Sequence, residues 1–138
     1  MDEWRSKWVD EEMSEWGRVK TKNMKPQSKA ISRALIDRMA ERIVETAHPE
    51  RIILFGSHAE GTAGPDSDVD LLIVERESFG PNRSRRKEFA RLLAALREFV
   101  IGKDLLLYSY EEVERWRHAR NHVIARAISR GKVLYERS

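Results

Sequence analysis

Two residue pairs in this chain have the types and spacing to do chemistry. Gly56-Ser57 and Asp68-x-Asp70 are separated by ten residues, His58 to Ser67. The first pair follows the apolar run RIILF, and the second opens the run VDLLIV. Side chains alternate along an extended chain, so Asp68 and Asp70 are expected on one side of a strand and Val69 on the other. Two neighbouring carboxylates repel, and near a core each also loses hydration. A divalent cation relieves both penalties, and hard oxygen ligands suit Mg2+ or Mn2+. Asp104 precedes a further apolar run, LLLY, in a similar way. If its strand neighbours the second, a third carboxylate joins the site, enough for a two-metal arrangement.

The Gly-Ser pair supplies the complementary half. Gly56 allows a sharp turn after the first run and a close approach of backbone N–H groups to a ligand. Ser57 adds a hydroxyl, and the HAEG that follows can form a helical turn whose N-terminal amides face an anion. Metal ligands on one side and amide donors on the other are what a nucleoside triphosphate needs. Gly56 and Ser57 are therefore the candidate nucleotide-binding residues, and Asp68, Asp70 and Asp104 the candidate metal ligands.

The elements that must position these residues follow from periodicity. From Ser28, apolar residues Ile31, Leu35, Met39 and Ile43 recur every four positions, predicting a helix that Pro49 cannot continue. RIILF and VDLLIV predict strands on either side of the loop. The GPN at 80–82 breaks the chain before a helix through Phe89, Leu92, Leu93, Leu96 and Phe99. KDLLLY predicts a third strand. Ser109 and Glu112 have capping-box spacing for a following helix that carries Val113, Trp116, Val123, Ile124 and Ala127 on one side. Gly131 ends that helix, and KVLYE is a terminal strand. The expected architecture is α/β (α+β), a small mixed sheet of about four strands with helices mainly on one face.

Bulk composition narrows the class. A chain of 138 residues favours one domain with a real core. Charged residues make up 36% and the net charge is +3, so a polyanionic partner is permitted without being required. Cysteine is absent, which removes disulfides, thiol nucleophiles and thiolate zinc sites together. No apolar run approaches the roughly 18 residues of a membrane span. MDEWRSKW is not a signal peptide, so no membrane association and a cytoplasmic location are the default expectations. Residues 1–16 carry six acids and two bases, whereas residues 17–33 carry six bases and no acid. The first stretch reads as an amphipathic helix with Trp4, Trp8, Met13 and Trp16 near one stripe, and GRVKTKNMKPQSK as a loose basic connector. The stripe can pack back on the domain or dock on a partner or second copy. The division is residues 1–27 for helix and connector and 28–138 for the folded domain.

The Gly-Ser, ten-residue, Asp-x-Asp pattern at Gly56, Ser57, Asp68 and Asp70 resembles the minimal nucleotidyltransferases of the DNA polymerase beta-like superfamily. The closing ISRGKVLYE is similar to that family's helix, glycine and Val-Leu-Tyr strand. The resemblance implies that Asp68 and Asp70 bind the metals and that Asp104 helps bind one of them, with Asp104 a candidate acceptor for the attacking hydroxyl's proton. It implies that Gly56 and Ser57 hold the triphosphate during in-line attack on the α-phosphate. It also implies an antitoxin role beside a HEPN-domain toxin, some of which are silenced by adding AMP to a tyrosine. One departure stands out. The family often has basic residues after Gly-Ser, whereas this chain has His58 and Glu60.

Other signals weigh less. His118 and His122 have i, i+4 metal-ligand spacing but no nearby completing ligand, and Arg117 with His122 matches a HEPN spacing inside an alternating chain. Arg83, Arg85, Arg86 and Lys87 make a basic run that reads first as a solvated helix end and second as a contact for nucleic acid or an acidic partner. The favoured expectation is a metal-dependent nucleotidyltransferase. A non-catalytic antitoxin that works by complex formation is the alternative, and a nucleic-acid-binding or nucleotide-extending protein the third.

Overall fold

The computed structural model describes residues 18–21 and 31–138. They form a five-stranded mixed sheet with spatial order β1-β4-β3-β2-β5. The strands are β1 (Arg18–Thr21), β2 (Arg51–Phe55), β3 (Val69–Glu75), β4 (Lys103–Ser109) and β5 (Lys132–Glu136). β3 and β4 run parallel, and every other pairing is antiparallel. The four expected strands are all present. The fifth, β1, falls inside the stretch read as a loose connector, and its backbone pairs along β4 with Lys20 in register with Asp104. Nothing in RVKT itself signals a strand, because an edge pairing of four residues is decided by the neighbour and not by local pattern. The tryptophan-bearing stripe expected at Trp4, Trp8, Met13 and Trp16 lies outside the described residues.

The helices among the described residues are α1 (Arg33–Ala47), α2 (Ser57–Glu60), α3 (Arg85–Ala95), α4 (Tyr110–Trp116) and α5 (Val123–Arg130). α1 is capped by Ser32, whose hydroxyl accepts from the Leu35 amide at 3.1 Å. It buries Ile36, Met39, Ala40 and Ile43 and ends at His48, which takes a left-handed conformation just before Pro49. α3 starts behind the Ser84 cap and buries Phe89 and Leu92. α1 and α3 cover one face of the sheet, packing on Ile52, Leu54, Leu71, Ile73, Leu105 and Leu107. This is the main helical layer, as the alternation of apolar residues requires.

The opposite face carries a smaller cluster, in which Val113, Ile124 and Ala127 meet Ile53, Leu72, Val74, Leu106 and Tyr108. The capping box of α4 is present: the Glu112 amide donates to Ser109 Oγ at 3.2 Å, and the Ser109 amide to Glu112 Oε1 at 2.8 Å. The single helix expected after Ser109 is two helices. The chain leaves helical geometry beyond Trp116, Asn121 adopts a φ of 64°, and His122 caps α5 by accepting from the Ile124 amide at 3.1 Å. Trp116 therefore does not continue the buried face expected of it. It is 39% exposed and stacks on the His122 ring at 4.7 Å. The i, i+4 histidine spacing is lost with the helix, because His118 and His122 sit in the connection and not on one helical face.

Candidate active site

The site gathers at the end of the sheet where β3 and β4 begin and β2 ends. Phe55, the last residue of β2, is in register with Asp70, and Asp70 is in register with Asp104 on β4. The condition for a third carboxylate, that its strand should neighbour β3, is thus met. Asp70 and Asp104 share a sheet face with Leu72 and Leu106, the face away from α1 and α3, while Val69 joins the main core. Asp104 is fully buried; Asp68 and Asp70 are half-buried.

Gly56 is required here by two independent constraints. Its backbone has φ 74° and ψ −157°, a region that side chains with a Cβ scarcely enter. A Cβ at this position would also lie 2.1 Å from Asp70 Oδ2. The turn therefore gives both the reversal of the chain and the space for the carboxylate. Beyond it, Ser57–Glu60 form the expected helical turn, with the Ala59 and Glu60 amides donating to the Gly56 carbonyl at 3.0 and 3.1 Å. Those two amides are used in closing the turn, so a phosphate would be met by the amides ahead of them, Ser57 and His58.

The long loop is folded back on itself. The Gly64 amide donates to Ser67 Oγ at 2.8 Å, and the Ser67 amide to the Gly64 carbonyl at 3.2 Å. His58 Nε2 lies 3.3 Å from the Ser67 carbonyl oxygen, so its N–H donates across the loop to the residue preceding Asp68. His58, a departure from the basic residues common after Gly-Ser, thus ties the turn to the carboxylate strand. Glu60 is exposed on the same turn.

Two residues beside the site were not singled out by sequence. A Cβ on Gly102 would lie 2.1 Å from Asp68 Oδ1, so this glycine seats the first carboxylate as Gly56 seats the second. Lys103 is buried, and its ammonium donates to the Phe99 and Ile101 carbonyls at 2.8 and 3.1 Å. Burial holds its pKa below the ordinary lysine range. A glycine followed by Lys-Asp at a strand start was the available signal, yet its meaning depends on what β3 places against it.

Asp68 lies against Gly102 and Asp70 against Gly56. Among the described residues, no three acidic or histidine side chains are grouped as they stand into a metal-holding set. The donor chemistry nevertheless fits a hard divalent cation: three carboxylates occupy one sheet end, two of them in register on adjacent strands.

The basic run before α3 has a structural use. Arg83 pairs with the buried Glu75 at the far end of β3, and Arg85 reaches Glu112 Oε2 at 2.5 Å and the Leu107 carbonyl at 2.7 Å. Arg86 and Lys87 remain exposed. Glu75 Oε2 is buried without a hydrogen-bond partner, and burial beside Glu88 pushes the Glu75 carboxyl up to about 7.

The family model described as a nucleotidyltransferase domain matches residues 36–130, which span β2, the turn, β3, β4 and both flanking helical layers. No curated protein matches the chain. Three solved structures match the chain in part. A toxin–antitoxin with AMP-PNP is 21% identical over 74% of this chain and 74% of its own, with a TM-score of 0.46. A protein from Sulfolobus solfataricus described as a candidate nucleotidyltransferase is 19% identical over 75% and 79%, with a TM-score of 0.48. A mutant toxin–antitoxin MntA–HpeT is 17% identical over 74% and 73%, with a TM-score of 0.45. No helix among the described residues is long and apolar enough to cross a membrane.

Proposed function

Because this chain belongs to the nucleotidyltransferase domain family, we propose that it transfers a nucleoside monophosphate, AMP from ATP in the first instance, to a hydroxyl on a partner protein. The observation that carries the reading is the register of Asp70 with Asp104, beside a Gly56 turn shaped around the Asp70 carboxylate. The acceptor oxygen attacks the α-phosphorus, the new P–O bond forms in line with the bond to the β-phosphate oxygen, and pyrophosphate leaves. The amides of Ser57 and His58 and the Ser57 hydroxyl orient the phosphates. The Asp104 carboxylate, fully buried beside Asp70, is the acceptor for the hydroxyl proton. Mg2+ or Mn2+ held by Asp68, Asp70 and Asp104 would supply charge stabilisation at the reacting phosphate. The motif resemblance supports a HEPN-type toxin as the hydroxyl-bearing partner and an antitoxin role for this chain.

A second reading, an antitoxin that acts by complex formation alone, is favoured by Glu60, which adds negative charge to the turn that would meet a triphosphate. One experiment separates the two. Labelled ATP, GTP, CTP or UTP is supplied with Mg2+ or Mn2+, with and without a candidate HEPN-type toxin, and intact mass is read on both proteins. The expected result is a gain of nucleotide units on the partner that disappears in Asp68→Asn and Asp70→Asn. A bound partner that gains no mass overturns the transferase reading in favour of binding.

A further inference from the structure

Lys103 lies one residue before Asp104, but its side chain is on the other face of the sheet. It is 2% exposed, and its ammonium donates to two main-chain carbonyls of the α3–β4 connection, Phe99 at 2.8 Å and Ile101 at 3.1 Å. That connection is tightly folded. The Ile101 amide donates to the Phe99 carbonyl at 2.9 Å, Phe99 and Ile101 point into the main core, and Val100 between them is exposed. The next residue, Gly102, accepts a hydrogen bond at its carbonyl from the Val69 amide at 3.0 Å and lies against the Asp68 carboxylate, leaving no room for a Cβ. One buried ammonium thus joins the connection, Gly102 and the start of β4 into one unit on which Asp68 rests.

Burying an ammonium is costly, and an apolar side chain of similar length could fill the same volume at lower cost. The cost is explained if the lysine holds something that packing alone would leave loose. Apolar packing has no direction, whereas two charge-assisted hydrogen bonds fix the Phe99 and Ile101 carbonyls in orientation as well as position. We propose that Lys103 is a positioning residue for Asp68: it locks the Phe99–Gly102 connection so that Gly102 seats the Asp68 carboxylate at the metal- and phosphate-binding end of the sheet. The inference rests on the proposed transferase reading for its consequence, but its geometry stands apart from it. Support of this kind around a ligating carboxylate typically alters metal affinity by tenfold or more.

The test uses the full chain with Lys103→Met, which keeps length and removes the donors. Two readouts are taken: hydrogen exchange of the Val69 amide, and Mn2+ affinity by electron paramagnetic resonance without nucleotide. The expected result is faster exchange at Val69, an Mn2+ affinity lower by about tenfold, and cooperative unfolding retained. Unchanged exchange at Val69 overturns the lock whatever the activity. Faster exchange with unchanged Mn2+ affinity overturns the positioning role and leaves Lys103 purely structural. A wild-type chain that binds no Mn2+ sinks the metal-dependent reading and the positioning role with it, while exchange at Val69 still reports the lock separately. If Lys103→Met does not fold, Gly102→Ala carries the test, because its methyl group lands on the Asp68 carboxylate with both lysine bonds intact. It must lower Mn2+ affinity by a similar factor, and an unchanged affinity overturns the seat.

Discussion

The Asp70 carboxylate occupies the space that a side chain on Gly56 would need, with Oδ2 2.1 Å from the position of a Cβ there. The turn that could hold phosphate and the strand that could hold metal are therefore fitted to one another, and are not merely close. Substituting Gly56→Ala should cost about 1–3 kcal/mol from backbone strain alone and displace Asp70 in addition. Gly61→Ala is the matched control, since Gly61 has a similar φ of 78° but open space around its Cβ position. Nucleotide affinity should be lost in the first variant and kept in the second. Equal affinities, measured by calorimetry at matched folded fractions, would show that the contact with Asp70 does not matter.

Asp104 is fully buried and in register with Asp70, so two carboxylates share one sheet face. Asp104→Asn removes a charge while keeping shape. Without added cation its unfolding temperature should equal or exceed that of the wild type, because like-charge repulsion is relieved. The rise that Mn2+ gives the wild type should vanish, and transfer should fall on the order of a hundredfold. Thermal melts with and without Mn2+ check both parts. A variant still stabilised by Mn2+ would remove Asp104 from the ligand set.

His58 bonds the Ser67 carbonyl across the long loop. His58→Ala should weaken nucleotide binding by about 1 kcal/mol, roughly fivefold, with KM rising and kcat held. His58→Gln, which retains an N–H donor, should recover part of the loss. Steady-state kinetics of the three proteins decide it, and a kcat effect with constant KM would assign His58 to the chemistry and not to the loop.

Glu75 gives a pH dependence unrelated to the site. Its carboxyl is pushed up to about 7 from an ordinary 4.5, first by burial and then by Glu88. Between those values the folded state holds a proton that the unfolded state has released, so stability should fall as pH rises from about 4.5 towards 7. Glu88 is shifted downward, so its contribution disappears only at more acidic pH, outside that window. Glu75→Gln should flatten the decline and be the more stable protein at about pH 8, by on the order of 1–3 kcal/mol. Urea midpoints across this range test the sign, and a parallel decline in both proteins would place its origin elsewhere.

Much of the fold was legible because it depends on short-range physics. Apolar period marked α1 and α3, Ser109 and Glu112 announced α4, and the apolar runs marked four strands. Where the reading missed, the deciding contact lay elsewhere in the chain. The helix after Ser109 stops at Trp116, and a second one starts where Asn121 turns left-handed and His122 supplies a new cap, a choice open to many polar stretches. Arg83 and Arg85 looked like a solvated basic run, yet Glu75 and Glu112 draw both inward from other elements.

By itself, the sequence determined the order of α1, β2, β3, α3, β4 and β5, the spacing of Gly56 and Ser57 from Asp68 and Asp70, and the alternation that turns Val69 away from the carboxylates. Local propensity and periodicity act within a few residues, so they are written in the chain. Only the tertiary structure decided that β4 pairs parallel with β3 in the register that sets Asp104 beside Asp70, and that β1 closes the edge. It also decided that Gly56 and Gly102 are the seats of two carboxylates and that Lys103 is buried behind them. Strand pairing joins residues far apart in sequence, and a shift by one residue would turn the same side chains to the opposite face. The chemistry available was thus set by residue type, and its assembly into one site by long-range register.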